Sequence, residues 1–284
     1  HNIGVSAIKE AIQVRKKIKN YNPDVVYAHS SIAGAITRMA CIGLNIKVIY
    51  NPHGWSFNME SNKKNIFIVL EKIMSRFCDK IICISDAEKE SALKYMICKQ
   101  EKLHVIYNGI DINEYKSTKV DLPVSESTFV VGMVGRISKQ KAPDIFVKMA
   151  GEVKKKIPDS CFVIVGDVIE GDEKERRDIE ELAEKLDINL IITGWVDNPL
   201  TYMNRFNVGC LLSRWEGFGL VIPEYMLTKT PIVATKVDAI PYLIKNGVDG
   251  LLVDKDDWMV ASKKVIEIAE DSNCLLYTSP SPRD

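Results

Sequence analysis

The chain has 284 residues, 46% of them hydrophobic and 27% charged, and its 38 Lys and Arg balance 38 Asp and Glu. That length suits two ordinary domains, and the composition excludes disordered and fibrous proteins. Apolar stretches such as Ile66 to Leu70 fall far short of the ~20 residues that span a bilayer. The seven Cys include no C-x-x-C pair and sit mostly inside apolar runs, which points to a reduced, cytoplasmic compartment.

In chain order, the first element is a helix with an apolar stripe at Ile8, Ala11, Ile12 and Ile18 and a basic run at Arg15, Lys16, Lys17 and Lys19. The first 115 residues carry 16 Lys and Arg against 11 Asp and Glu. The run reads as a solvated helix face or as a surface attracted to anionic lipid. The chain enters this helix from His1 without an initiator Met, so a break is expected at that end. Short β-branched and apolar runs follow: Val25–Ala28, Val48–Tyr50, Ile81–Ile84, Leu103–Tyr107, Phe129–Val134, Cys161–Val165, Leu190–Thr193, Val208–Leu212, Ile232–Thr235 and Leu251–Val253. They lack polar alternation, as strands buried on both faces do. Their alternation with amphipathic segments such as Ala142–Lys156 and Asp172–Leu186 predicts βαβ units with parallel sheets. The fold class is α/β, with two Rossmann-like domains facing a cleft.

The expected domains are 1–115 and 129–273, joined by a polar linker at 116–128 that contains Pro123. Residues 274–284, Cys274-Leu-Leu-Tyr-Thr-Ser-Pro-Ser-Pro-Arg-Asp284, resemble a translated sequencing adapter and are treated as foreign.

No strand leads into a G-x-G-x-x-G fingerprint; Gly132-Met-Val-Gly135-Arg136 comes nearest, which argues against a nicotinamide cofactor. A strand end instead delivers Arg136 and Lys141 into a loop before a helix. A fork of donors beside a mobile point charge suits a diphosphate. Ser213-Arg-Trp-Glu216-Gly-Phe-Gly-Leu-Val-Ile-Pro223-Glu224 follows another strand and ends in a helix start. Gly219 would let a backbone approach a ligand, the amides near Leu220 and Val221 would receive an anion, and Glu224 falls in the first helical turn. Each residue alone has a structural explanation; their joint placement at strand ends carries the reading.

With these motifs the chain resembles the family 4 retaining glycosyltransferases of the GT-B fold. The likeness extends over nearly all of residues 20–270 and includes Pro23-Asp-Val-Val-Tyr-Ala-His-Ser-Ser31, Pro52-His53-Gly54, Ile84-Ser-Asp-Ala87 and Val105-Ile-Tyr-Asn-Gly-Ile-Asp111. The resemblance implies that Arg136 and Lys141 grip the donor diphosphate, that Glu216 faces the transferring sugar and that Glu224 holds the ribose. By the same resemblance, His53 polarises the sugar or orients the acceptor. Donor contacts are implied at Gly135, Trp195, Val196, Phe218, Gly219, Leu220 and Val221. It further implies a nucleotide-diphosphate sugar donor, UDP-sugar favoured over GDP-sugar, and a glycan or lipid-linked acceptor. No cofactor, metal or nucleic acid is expected. The protein is then cytoplasmic, with peripheral contact to an anionic membrane as an open reading, and serves polysaccharide or glycolipid assembly.

Ala142 departs from the family's usual Gly. The family's glycine-rich loop near its N-terminus and its returning C-terminal helix have no counterpart here, so both domains are expected to be incomplete, and whether this chain alone is active stays open. Asp254-Lys-Asp256 imitates a metal-binding D-x-D motif and reads as the cap of a helix near Trp258; His29 and His104 read as structural. An epimerase of the same architecture and a non-catalytic donor-binding subunit stay open as alternatives, with a pyridoxal-phosphate phosphorylase a weaker third.

Overall fold

The computed structural model describes residues 5–59, 61–112 and 118–270. The chain divides into two compact units, His1–Asn108 and Gly109–Asp284. The adapter-like tail 274–284 and residues 116 and 117 of the expected linker lie outside the described residues.

The first unit runs α1 (Val5–Tyr21), β1 (Val25–His29), α2 (Ser31–Cys41), β2 (Lys47–Asn51), α3 (Lys64–Met74), β3 (Lys80–Cys83), α4 (Asp86–Lys94) and β4 (Leu103–Val105). Its four strands form a parallel sheet in the order β1-β2-β3-β4. Tyr50, Trp55, Phe57, Ile81 and Cys83 fill its core.

The expected stripe of α1 is corrected. Ala7, Ala11, Val14 and Ile18 make the inward face, while Ile8 and Ile12 stay 59% and 63% exposed. Spacings of four, three and four residues keep the buried set on one side of the helix against Ile36 and Ala40 of α2. Arg15 leaves the basic run to donate to the carbonyls of Ala40 and Ile42, satisfying the C-terminal end of α2. The core also takes in Arg38, which pairs with Glu71 at 3.0 Å and lies 3.8 Å over the Tyr50 ring.

The second unit runs β5 (Phe129–Val134), α5 (Pro143–Lys156), β6 (Ser160–Val165), α6 (Glu173–Lys185), β7 (Leu190–Ile192), α7 (Leu200–Met203), β8 (Val208–Leu211), α8 (Val221–Leu227), β9 (Ile232–Thr235), α9 (Ile240–Leu243), β10 (Leu251–Val253) and α10 (Trp258–Glu270). All six strands are parallel, in the order β10-β9-β8-β5-β6-β7. Alternate residues feed two cores: Val131, Met133, Phe162 and Ile164 face one side, and Val130, Cys161, Val163 and Val165 the other. The strands are therefore apolar throughout, as the sequence pattern required.

The chain winds outward from β5 through β6 to β7, then returns to the other flank of β5 and continues through β8, β9 and β10. The reversal makes the β5–β8 edge a topological switch point, where the loops leaving the two strands separate and open a crevice.

Residues 118–128, expected as a linker, are fastened to the second unit. Val120 N–H donates to Thr201, Asn204 to the Thr118 carbonyl and Arg205 to the Ser125 carbonyl, while Leu122 and Val124 pack on its core. A second correction concerns the cap of α10. Asp257, not the D-x-D pair, accepts the Val260 N–H at 2.9 Å; Asp254 faces Lys236 and Asp256 faces Arg214. Asp257 directly precedes the first helical residue, where a carboxylate reaches the free amides.

Candidate functional site

The loop leaving β5 and the loop leaving β8 flank the switch point, and they carry the residues singled out in the sequence. Gly135 N–H still pairs with the Val165 carbonyl and Ile137 N–H with that of Asp167, so the chain around Arg136 remains anchored to the strand β6 side. Arg136 itself is exposed and makes no hydrogen bond or ion pair with the described residues. A turn closed by Lys141 N–H and Ala142 N–H on the Ser138 carbonyl brings Lys141 back toward the sheet. Ala142 adopts the left-handed φ of 52° directly before Pro143 opens α5, a conformation glycine reaches more readily.

Lys141 and Glu216 meet. Lys141 Nζ lies 2.5 Å from Glu216 Oε1, and Ser213 Oγ donates to the same oxygen at 2.7 Å. Both donors converge on Oε1, leaving Oε2 without a partner among the described residues. Glu216 N–H donates to Asp238 Oδ2 at 2.8 Å. Asp238, which follows β9, went unnoticed in the sequence. Burial raises its pKa against the pull of that amide, and the neighbouring Glu216 charge raises it further. Glu224 is half-buried in the first turn of α8; burial raises its pKa while the Lys141 charge lowers it. One cation thus acts on both glutamates.

The other expected donor contacts divide by exposure. Phe218 and Val221 are buried at 6% and 7%, so Val221 can offer a ligand only its backbone, whereas Leu220 is 42% exposed. Gly219 sits at φ 87°, and a Cβ there would come within 2.6 Å of Ile240; close packing against α9 is a structural reason for this glycine. Trp195 is 62% exposed and Val196 packs on the core. Their loop is tied to the loop after β6 by the Gly166–Gly194 bridge.

His53 belongs to the first unit. It follows β2 with φ 51°, and its N–H donates to Asn51 Oδ1 at 3.1 Å. Glu88 holds this turn from α4: its carboxylate accepts Gly54 N–H at 2.6 Å and Ile84 N–H at 2.7 Å, and its carbonyl accepts Trp55 Nε1 at 2.8 Å. Burial pushes the Glu88 carboxyl up to about 7 despite the two amides.

His29, expected to be structural, meets His53. Its Nδ1 lies 2.7 Å from His53 Nε2 with the rings stacked at 5.1 Å, a hydrogen bond in which one imidazole donates and the other accepts. Burial, and then the nearby His29, lower the His53 pKa. The signal for this pairing was weak in the sequence: His29 ends β1, and His53 lies two residues beyond the end of the neighbouring parallel strand β2. His104 lies exposed within β4.

Among the described residues no group of three or more His, Cys, Asp or Glu could hold a metal, and no helix is long and apolar enough to cross a membrane. Among the described residues six cysteines are free, five of them buried.

Comparison with known proteins bears on the family and the fold. The family description "Glycosyl transferases group 1" matches residues 115–279, and "Glycosyltransferase Family 4" matches residues 5–114. A 41.2 kDa protein of the cps region of Klebsiella pneumoniae, described as uncharacterized, is 32% identical over 94% of this chain and 74% of its own length. The UDP-Gal:alpha-D-GlcNAc-diphosphoundecaprenol alpha-1,3-galactosyltransferase of Escherichia coli is 29% identical over 94% of this chain and 72% of its own. Among solved structures, Anabaena HepE in complex with UDP superimposes with a TM-score of 0.80 at 22% identity, covering 94% of this chain and 74% of that one. Sucrose-phosphate synthase from Thermosynechococcus elongatus reaches 0.82 at 20% identity, covering 95% and 70%. Both units are thus the parallel-sheet domains of a GT-B fold, and the chain belongs to the group 1 glycosyltransferases of family 4.

Proposed function

We propose that this glycosyltransferase takes a uridine diphosphate sugar as donor and that Arg136, Lys141, Glu216 and Glu224 form its grip. The observation that carries the reading is the Lys141–Glu216 pair at the switch point, with an uncommitted Arg136 on the same loop. Lys141 needs only to share its ammonium protons between Glu216 and a diphosphate oxygen. Arg136 adds a planar fork of donors. Glu216 Oε2 is left to accept a sugar hydroxyl, and Glu224 to accept those of the ribose.

Retaining transfer needs no metal in this scheme. As the glycosidic bond breaks, negative charge grows on the departing diphosphate, and Arg136 and Lys141 act where the transition state differs most from the bound donor. The departing oxygen takes the proton of the incoming hydroxyl, so the protein's main task is electrostatic. His53, held by Glu88 and His29, orients the acceptor or the sugar.

The uridine assignment is supported by the UDP and UDP-glucose complexes of the Anabaena protein and by the UDP-Gal donor in the name of the E. coli relative. That relative's diphosphoundecaprenol-linked acceptor, and the capsular polysaccharide role named for a Staphylococcus aureus relative, support a lipid-linked or growing glycan as acceptor. Exposed Lys16, Lys17 and Lys19 beside Ile8 and Ile12 support peripheral contact with an anionic membrane, at a cytoplasmic face.

Nucleotide release from a panel of UDP- and GDP-sugars, with product analysis and an EDTA arm, tests the reading. Release of UDP with a new glycoside of retained configuration, unaffected by EDTA, is the expected result. An isomerised donor would assign the site to an epimerase, and donor bound but unchanged would assign it to a binding subunit.

A further inference from the structure

Arg214 stands two residues before Glu216, and its contacts reach the segments on either side of Lys141. Its backbone N–H donates to the Gln140 carbonyl at 2.8 Å, and its Nη1 donates to the Lys139 carbonyl at 2.9 Å. Gln140 returns the contact, its side-chain amide donating to the Trp215 carbonyl at 3.0 Å. Beyond Lys141, the guanidinium forks onto both oxygens of Asp144 in the first turn of α5, at 3.1 and 2.7 Å. Its remaining Nε reaches Asp256 Oδ1, in the loop after β10, at 2.7 Å. The Arg214 side chain is 12% exposed. Segments 139–140 and 214–215, the two that immediately precede the Lys141–Glu216 pair, are therefore laced together.

We propose that Arg214 is a positioning residue that sets the register of the loops after β5 and β8, and thereby the Lys141–Glu216 geometry that receives a nucleoside diphosphate. The proposal rests on the reading of that pair as the donor grip. Only a guanidinium serves here: its five donors lie in one rigid plane and engage Asp144, Asp256 and a carbonyl at once. An ammonium is a point charge without a fork. A Lys at 214 would keep the charge and the backbone bond to Gln140 while giving up the simultaneous contacts to Lys139, Asp144 and Asp256.

The experiment combines amide hydrogen exchange with UDP binding on the full chain, for the unaltered protein, Arg214→Lys, Asp256→Asn, Lys141→Ala and the Arg214→Lys/Lys141→Ala double variant. Arg214→Lys is expected to speed exchange at Lys141, Ala142, Arg214 and Glu216 about tenfold while leaving exchange in β5, β6 and β8 unchanged. Asp256→Asn, which removes only the outermost contact, should speed it two- to threefold. Binding of UDP should weaken about tenfold in Arg214→Lys, and the double variant should bind no more weakly than Lys141→Ala, because residues acting through one another are non-additive. Unchanged loop exchange in both Arg214→Lys and Asp256→Asn, faster exchange spread evenly over the sheet, or multiplying losses of UDP affinity would each overturn the proposal. Failure of the unaltered chain to bind UDP would overturn the donor reading instead, and the exchange data would still decide whether Arg214 orders the loops.

Discussion

Lys141 Nζ lies 2.5 Å from Glu216 Oε1, joining the loop after β5 to the loop after β8 at the point where the sheet's strand order reverses. The glutamate side chain is 6% exposed and the lysine 17%, so each ion is the other's main compensation for lost water.

Removing one partner leaves the other buried and unpaired. Lys141→Ala should lower the unfolding free energy by about 2 kcal/mol, less than a fully buried pair loses because water and Ser213 can still reach Glu216. Lys141→Met combined with Glu216→Gln should recover most of that stability and none of the UDP affinity. Denaturant titration beside calorimetric binding separates the two; recovery of both together would count against the donor role.

Arg136 has no partner among the described residues and is exposed. Arg136→Ala should leave the unfolding free energy within about 0.5 kcal/mol of the unaltered protein. Its effect should fall on transfer, lowering kcat on the order of a hundredfold, or about 3 kcal/mol. Wild-type turnover in this variant would remove Arg136 from the site.

Glu88 links the His53–Gly54 turn to α4 and titrates abnormally. Its folded-state pKa of about 7 lies above the ordinary 4.5. The native state therefore holds this proton more tightly than the unfolded chain. The resulting stability is complete below about pH 4.5 and is lost as pH rises through about 7. Relative to Glu88→Gln, the unaltered protein should lose about 3 kcal/mol of stability over that window, to order of magnitude. Parallel pH profiles of unfolding for the two proteins would show that Glu88 titrates normally.

Gly219 combines a φ of 87° with an Ile240 side chain in the space a Cβ would fill. Gly219→Ala should destabilise the protein by about 1–3 kcal/mol through overpacking and backbone strain. UDP affinity should fall with it, since the same turn places Leu220 and Val221. An alanine variant of unchanged melting temperature would show that the turn tolerates a side chain.

Much of the fold was legible because parallel strands buried on both faces leave an uninterrupted apolar signature. Phe129–Val134, Ile232–Thr235 and Leu251–Val253 form strands with the bounds read from the sequence, and α5 and α6 begin and end within one residue of theirs. The first helix was misread on its inward face. Its apolar residues fit more than one stripe, and only the packing of Ala11 and Val14 on α2 selects between them. The segment after residue 117 carries no periodicity, yet the side chains of Asn204 and Arg205, just after α7, hold it to the second unit.

What the sequence by itself determined is the chemistry on offer at strand ends: two cations after one strand, two carboxylates after another, and a His-Gly turn after a third. Local order along the chain is enough for that, since the strands and the loops that follow them are contiguous. Only the tertiary structure decided which of these groups meet. Lys141 finds Glu216 across 75 residues of chain, Arg214 finds Asp144 across 70, His53 finds His29 across 24 and Glu216 finds Asp238 across 22. Parallel strands bring the carboxyl ends of distant segments side by side, and no local pattern encodes which side chains then come within hydrogen-bonding distance.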